Sequence, residues 1–259
     1  MKKSIFGALT LALAAVLPMS AMAQQSGSID ASYGHAAVSN NYGDANIFSV
    51  NGRYALNKNT AFTGNLVDIS AWHQHGTGAS AGLVQTINDS MYGTLNVFVS
   101  DQTLILPKYR LTGQLNFKVG TGFILGVGAD HIVMRGGPNK DDALLLSAVY
   151  YVPGMPLVIQ TDARLDNATP GNHRGERYGV AVTYGKVGEW TLSGRADSGV
   201  SGYESSIVPG QLVRFPVKHE SASLSKWLGG NYGVTVAADN VANKYYNRRE
   251  LRVGAFYTF

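Results

Sequence analysis

At 259 residues, with 45% hydrophobic and 15% charged residues and a net charge of +4, the chain has room for one large domain or two small ones. No basic run points to nucleic acid, and the absence of cysteine excludes disulfides and thiolate chemistry. Part of the positive charge is local: without Lys2 and Lys3 the 21 basic residues fall to 19 against 17 acidic ones, a net +2.

Lys2 and Lys3 open the chain, Ile5 to Val16 is an apolar run, Pro18 and Ser20 break it, and Ala21-Met22-Ala23 gives a small-x-small pattern before Gln24. This order predicts a bacterial secretory signal peptide over 1–23, cleaved after Ala23. The apolar run is shorter than the roughly 20 residues a spanning helix needs, which argues against a membrane anchor. Residues 24–259 then form the exported domain.

That domain reads as strands from end to end, with period-two alternation and no sustained 3.6-residue spacing. Phe48, Val50, Gly52, Tyr54 and Leu56 alternate with Ser49, Asn51, Arg53 and Ala55. Leu111, Gly113, Leu115, Phe117 and Val119 alternate with Arg110, Thr112, Gln114, Asn116 and Lys118. The same holds for Leu157 to Asp166 and for Arg177 to Gly185. One face of each suits hydrocarbon; the other is mostly polar or small.

Turn chemistry recurs at 57–59, 88–90, 120–122, 153–156, 187–188 and 228–231, each rich in Gly, Pro, Asn or Asp. Between these lie generally longer polar stretches, at 37–44, 75–78, 101–107, 136–141, 167–175, 199–213 and 242–248. Alternating short and long connections mark an up-and-down outer-membrane β-barrel, with short turns in the periplasm and long loops outside. At roughly 10 residues per strand, about fourteen strands use about 140 residues. Twelve also fit if two weak hairpins near 60–100 merge. An even count places both termini in the periplasm.

The last nine residues, Leu251 to Phe259, carry Leu251, Val253, Ala255, Tyr257 and Phe259 on one face. A terminal strand of this kind pairs with the first strand so that no edge is left in lipid. The ending is similar to the carboxy-terminal signature of bacterial outer-membrane proteins, which implies that Tyr257 and Phe259 serve as a signal read by the barrel-assembly machinery. A soluble β-sandwich is the alternative.

Phasing the strands by their apolar faces sends Arg53, Asp68, Arg110, Asp162, Arg164, Arg177, Arg195, Asp197 and Arg252 into the lumen. On the lipid side, each Arg would cost about 2–4 kcal/mol at the bilayer midplane. Inside, opposed charges either brace the wall or line a conduit, and a narrow, partly filled lumen is the expectation.

Enzymatic signals are thin. His219-Glu220-Ser221 puts His and Ser on one strand face and resembles an element of outer-membrane phospholipases and lipid A deacylases. The phospholipase pattern continues Asn-Gly where this chain has Ala222-Ser223, and spacing assigns no third group. His73 and His75 share a face without a third ligand. The expectation is a non-enzyme with no cofactor and no metal.

Tyr33-Gly34, Gly52-x-Tyr54, His75-Gly76, Pro107-x-x-Arg110, Tyr150-Tyr151, Ser221-x-Ser223-x-Ser225 and Tyr257-Thr258-Phe259 are points on which the chain resembles the YaiO family of outer-membrane β-barrels over most of its length. The resemblance implies a surface barrel without an established activity. Related barrels occur behind repeat domains in envelope polysaccharide or receptor systems, which implies a structural or narrow transport role linked to envelope export components. A general small-solute porin is the alternative, and a lipid hydrolase the distant one. The stretch 239–247, DNVANKYYN, is similar to the turn before the last strand of TonB-dependent receptors. Their 22 strands would use about 220 residues and leave no room for a plug.

Overall fold

The computed structural model describes residues 26–40, 43–101, 105–135, 139–169, 171–204 and 212–259; the expected signal segment 1–23 lies outside them. Fourteen strands follow one another without a helix among the described residues. The first five are β1 (Gly27–Val38), β2 (Ala45–Ala55), β3 (Thr60–Ala71), β4 (Gln74–Asn88) and β5 (Met91–Ser100). Next come β6 (Tyr109–Val119), β7 (Phe123–Val133), β8 (Lys140–Tyr151), β9 (Leu157–Thr169) and β10 (His173–Lys186). β11 (Trp190–Glu204), β12 (Leu212–Gly229), β13 (Tyr232–Asn243) and β14 (Asn247–Thr258) complete the chain. Each strand pairs with its sequence neighbours, and β1 pairs with β14, closing one antiparallel barrel.

The alternation seen in the sequence becomes an inside and an outside. Leu95, Val97, Leu115, Leu125, Val127, Leu144, Val180, Val182, Leu224, Val236, Leu251 and Val253 are large apolar residues left exposed on the outer wall. Such a continuous apolar surface is untenable in water and suits hydrocarbon, where the closed ladder pairs the strand backbone internally. Toward the short-turn end the exposed residues become aromatic: Tyr54, Phe62, Phe123, Tyr184, Tyr232, Tyr257 and Phe259. This is the girdle expected where lipid tails meet headgroups.

Closure is built from both termini. The Gly27 N–H donates to the Phe259 carbonyl at 2.8 Å, and the Phe259 N–H returns the bond to Gly27 at 3.0 Å. A Cβ on Gly27 would stand 2.6 Å from the Phe259 ring, so only glycine admits the terminal aromatic at this seam. The Tyr257 and Phe259 rings stack outside it with centroids 6.2 Å apart.

The connections correct two expectations. The stretch 75–78, read as a loop, lies inside β4, and the hairpin is a two-residue turn at Trp72 and His73. Both have left-handed φ, 52° and 59°, the geometry of a tight β-hairpin turn normally marked by Asn-Gly. Trp-His carries no such mark, so the sequence hid the turn. The far connections are also clearly shorter than read at three places: β9 ends at Thr169 with β10 starting at His173, β11 runs on to Glu204 with β12 starting at Leu212, and β13 ends at Asn243 with β14 starting at Asn247.

Candidate functional site in the barrel lumen

Strand parity turns Arg53, Arg110, Asp162, Arg164, Arg177, Arg195, Asp197 and Arg252 inward, each alternating with outward residues such as Tyr54, Leu111, Leu165, Tyr178, Ala196 and Leu251. Asp68 is the exception. It lies two residues beyond the outward Leu66 and directly opposite the outward Phe48, so it sits on the outer face near the far rim. There its carboxylate meets His75 Nε2 at 2.8 Å, both side chains being about half exposed or more. The rim lies beyond the apolar belt, where a charge is solvated and the lipid-face cost does not apply.

The inward charges form two connected networks. In the first, Asp130 on β7 accepts from Arg110 Nε at 2.8 Å, from Thr112 Oγ1 at 2.5 Å and from Arg164. Arg164 also reaches Asp141 at 2.8 Å and Asp166 at 2.5 Å, so one guanidinium on β9 gathers three carboxylates. The second runs across β9 to β14. Arg195 makes a bidentate pair with Asp162 at 2.8 and 2.9 Å and touches Asp197 at 3.1 Å. Asp197 bonds His219 Nδ1 at 2.8 Å, with Arg177 at 3.8 Å. His219 Nε2 bonds Asp239, Asp239 takes Arg248 at 3.0 Å, and Glu250 joins Arg248 at 3.7 Å to Arg252 at 2.5 Å.

The wall from β1 to β5 is different. Ser32 and Ser49 share a hydrogen bond of 2.9 Å, and Asn51 donates to Asp30 at 2.8 Å and accepts from Asn65 at 2.7 Å. The lumen therefore has a mainly neutral polar wall facing a wall of paired charges. Because each cation sits against its carboxylates, little net field crosses the space, and the pairs act as struts between strands.

At the far rim the neutral wall turns apolar. Ala36, Ala45, Ile47, Ile69, Ala71 and Phe98 enclose Ile105 and Leu106, which come from the β5–β6 connection, with Leu106 at 0% exposure. Ser100 Oγ donates to the Pro107 carbonyl at 2.8 Å, and Arg135 donates to the Ser100 carbonyl at 2.7 Å, fixing this segment inward. Thr77 donates through its N–H and its hydroxyl to Asp101, both at 2.9 Å. These two bonds, the backbone one first, hold the Asp101 carboxyl below its ordinary value. A smaller apolar group, Phe215, Val217 and Val241 with Tyr245 against it, occupies another part of the rim.

His219 and Ser221 both point into the lumen, but both ring nitrogens of His219 are engaged by carboxylates, leaving neither free to take a proton from Ser221. His73 sits in the tight turn and His75 on Asp68, and no group of three potential metal ligands occurs among the described residues. Sequence reasoning missed Asp130, Asp141, Asp166, Asp239, Arg248 and Glu250. Parity alone marks each as inward, but their pairing depends on register between strands.

Among solved structures, one described as a bacterial polysaccharide outer membrane secretin superposes with a TM-score of 0.56 at 8% identity, over 90% of this chain and 98% of that one. The translocator domain of autotransporter NalP from Neisseria meningitidis gives 0.53 at 12% identity, over 90% and 88%. A loop L8 deletion mutant of OmpT, an outer membrane protein of Vibrio cholerae, gives 0.52 at 8% identity, over 90% and 98%. At such identities the likeness is one of fold. No curated protein matches the chain. The model of the YaiO membrane beta barrel domain matches residues 26–204, well over half of the chain. A closed barrel with an apolar outer belt, similar in fold to outer-membrane proteins and carrying this match, is an outer-membrane β-barrel protein that belongs to the YaiO membrane β-barrel domain family.

Proposed function

We propose that this protein serves a structural or narrow transport role in the outer membrane, linked to export of envelope polysaccharide, and that it is not a hydrolase. The observation that carries the reading is the lumen: paired charges brace one wall from β6 to β14, and Ile105 and Leu106 fill the far rim against the other. General solute pores with an open aqueous channel are built from 16–18 strands. A fourteen-stranded barrel lined on one wall by arginine side chains leaves a tighter path. The saccharide link comes from the resemblance to barrels of polysaccharide systems and from the description of one similar fold. Both termini face the periplasm in this reading, and Tyr257 with Phe259 is offered to the assembly machinery. The clamped His219 supports the absence of hydrolysis.

The test is conductance of the purified full chain in planar bilayers. Native protein should pass little current, and Ile105→Ser with Leu106→Ser should raise it several-fold by wetting the apolar rim. Large, steady native conductance would replace this reading with a general porin. A serine-pair variant as silent as the native protein would remove the rim from the path.

A further inference from the structure

The two signs of charge are treated differently on the two faces of the wall. Inside, Arg110, Arg164, Arg177, Arg195, Arg248 and Arg252 each have a carboxylate partner. Outside, on the far rim of β10 to β14, Arg174, Arg214, Lys218 and Arg249 are exposed on outward positions, and none has an ion-pair partner among the described residues. At the opposite rim the outward Lys186 is matched with Glu189 at 2.6 Å. Lys58, Lys118 and Lys226 toward that rim also lack an ion pair among the described residues, so the far rim is set apart by four outward cations within β10 to β14.

Their height is set by register. Arg249 lies opposite Ala37 and Asn240, two residues beyond Leu251 in the apolar belt, which is about 7 Å higher along the strand. Lys218 lies between Ser198 and Ala242, and Arg214 stands opposite Gly202, so small residues flank the long side chains. Two carboxylates share this outward face without pairing with a cation among the described residues: Glu176 accepts from the Tyr178 hydroxyl at 3.3 Å and Glu220 from Asn240 at 3.4 Å, which leaves the four cations in excess over two anions. Arg214 stands four residues, about 14 Å along the strand, beyond Lys218, so the four cations reach from the edge of the apolar belt into the headgroup layer above it, where they can meet the anionic groups of the lipid in which the barrel stands.

We propose that Arg174, Arg214, Lys218 and Arg249 form a binding surface for the phosphate groups of outer-leaflet glycolipid. The guanidinium fork takes two phosphate oxygens at once, and the ammonium adds a point charge, so a diphosphorylated sugar headgroup spanning several strands is the matching ligand. The assignment of leaflet rests on the topology given above, with the far rim outside the cell. Binding to purified protein in detergent does not depend on that topology, so the two ideas fail separately.

The test uses the full chain in neutral detergent, with diphosphorylated lipid A, its dephosphorylated form, and inorganic phosphate as competitor, read by native mass spectrometry. Native protein should hold the diphosphorylated form about tenfold more tightly than the dephosphorylated one, as expected for several cations at a charged lipid surface. Arg174→Gln, Arg214→Gln, Lys218→Gln and Arg249→Gln combined should abolish that preference. Lys58→Gln with Lys226→Gln, at the opposite rim, should keep it. Should the fourfold variant fail to fold, judged by heat-modifiable mobility, the pairs Lys218→Gln/Arg249→Gln and Arg174→Gln/Arg214→Gln should each give an intermediate loss. Equal binding of the two lipids, an undiminished preference in the fourfold variant or in both pairs, or displacement by inorganic phosphate at concentrations equal to the lipid would overturn the proposal.

Discussion

Asp130→Ala tests whether the lumenal charges hold the barrel together. Its carboxylate is 0% exposed and takes Arg110 at 2.8 Å, Thr112 at 2.5 Å, and Arg164. Alanine leaves Arg110, only 17% exposed, without a carboxylate among the described residues, whereas Arg164 keeps Asp141 and Asp166. Breaking a buried pair from one side costs about 3–5 kcal/mol. The retained partners of Arg164 and the lumenal water around Arg110 place the loss near the lower end, about 3 kcal/mol, which is more than a hundredfold in the unfolding constant. Asp142→Ala is the control: its pair with His131 is at 2.6 Å but its side chain is 61% exposed, so the loss should stay within about 1 kcal/mol. Arg110→Met with Asp130→Leu removes both charges and should recover more than half of the loss. Reversible urea unfolding of the full chain in lipid vesicles, followed by tryptophan fluorescence and extrapolated linearly, measures all four proteins. If Asp130→Ala unfolds no more easily than Asp142→Ala, the lumenal charges are solvated and the networks do not brace the wall.

Orientation is testable because the chain has no cysteine: Lys244→Cys, in the β13–β14 connection, should label with an impermeant maleimide on intact cells, and Lys58→Cys only after permeabilisation. The reverse pattern would invert the barrel in the membrane. Deleting Phe259 removes two seam hydrogen bonds with Gly27 and one from Ser26 Oγ at 3.0 Å. The truncated chain should still refold in detergent, since each bond is worth about 1 kcal/mol, yet accumulate poorly in membranes. Heat-modifiable mobility on both samples decides it: normal accumulation in cells would sink the signal role, and failure in both settings would assign the loss to seam stability.

Strand parity was legible because lipid demands a strict alternation. Arg195 between the outward Gly194 and Ala196, or Arg252 between Leu251 and Val253, has no other face to take. Asp68 shows where that rule ends. It continues the outward row of Phe62 and Leu66, but it stands at the rim, where water and His75 accept a carboxylate that the midplane would reject. The Trp72-His73 turn was illegible for a different reason: two non-glycine residues hold left-handed φ, held there by ladder pairs of β3 with β4 that begin at Ala71 and Gln74. His219 was legible as a residue and illegible as a site, because Asp197 and Asp239 reach it only once β11 and β13 are set in register beside β12.

The same dependence on register shows at the seam, which is fixed from both faces and from within the wall. Outside, the Phe259 ring covers Gly27; in the wall, backbone bonds join the two residues; inside, Glu250 leans over Gly34, where a Cβ would stand 2.5 Å from its Oε1. Arg252 binds Glu250 and interacts electrostatically with Asp30 on β1, so the second lumenal network ends by crossing the closure rather than stopping short of it. A slip of one residue between β1 and β14 would exchange inward and outward faces, sending Arg248, Glu250 and Arg252 toward lipid. Two glycines on the first strand thus make room for an aromatic and a carboxylate of the last, and both contacts exist only in the closed register. Charges that would be costly in any open or shifted sheet become paired when the barrel seals, which ties the networks of the lumen to the selection of a single closed form.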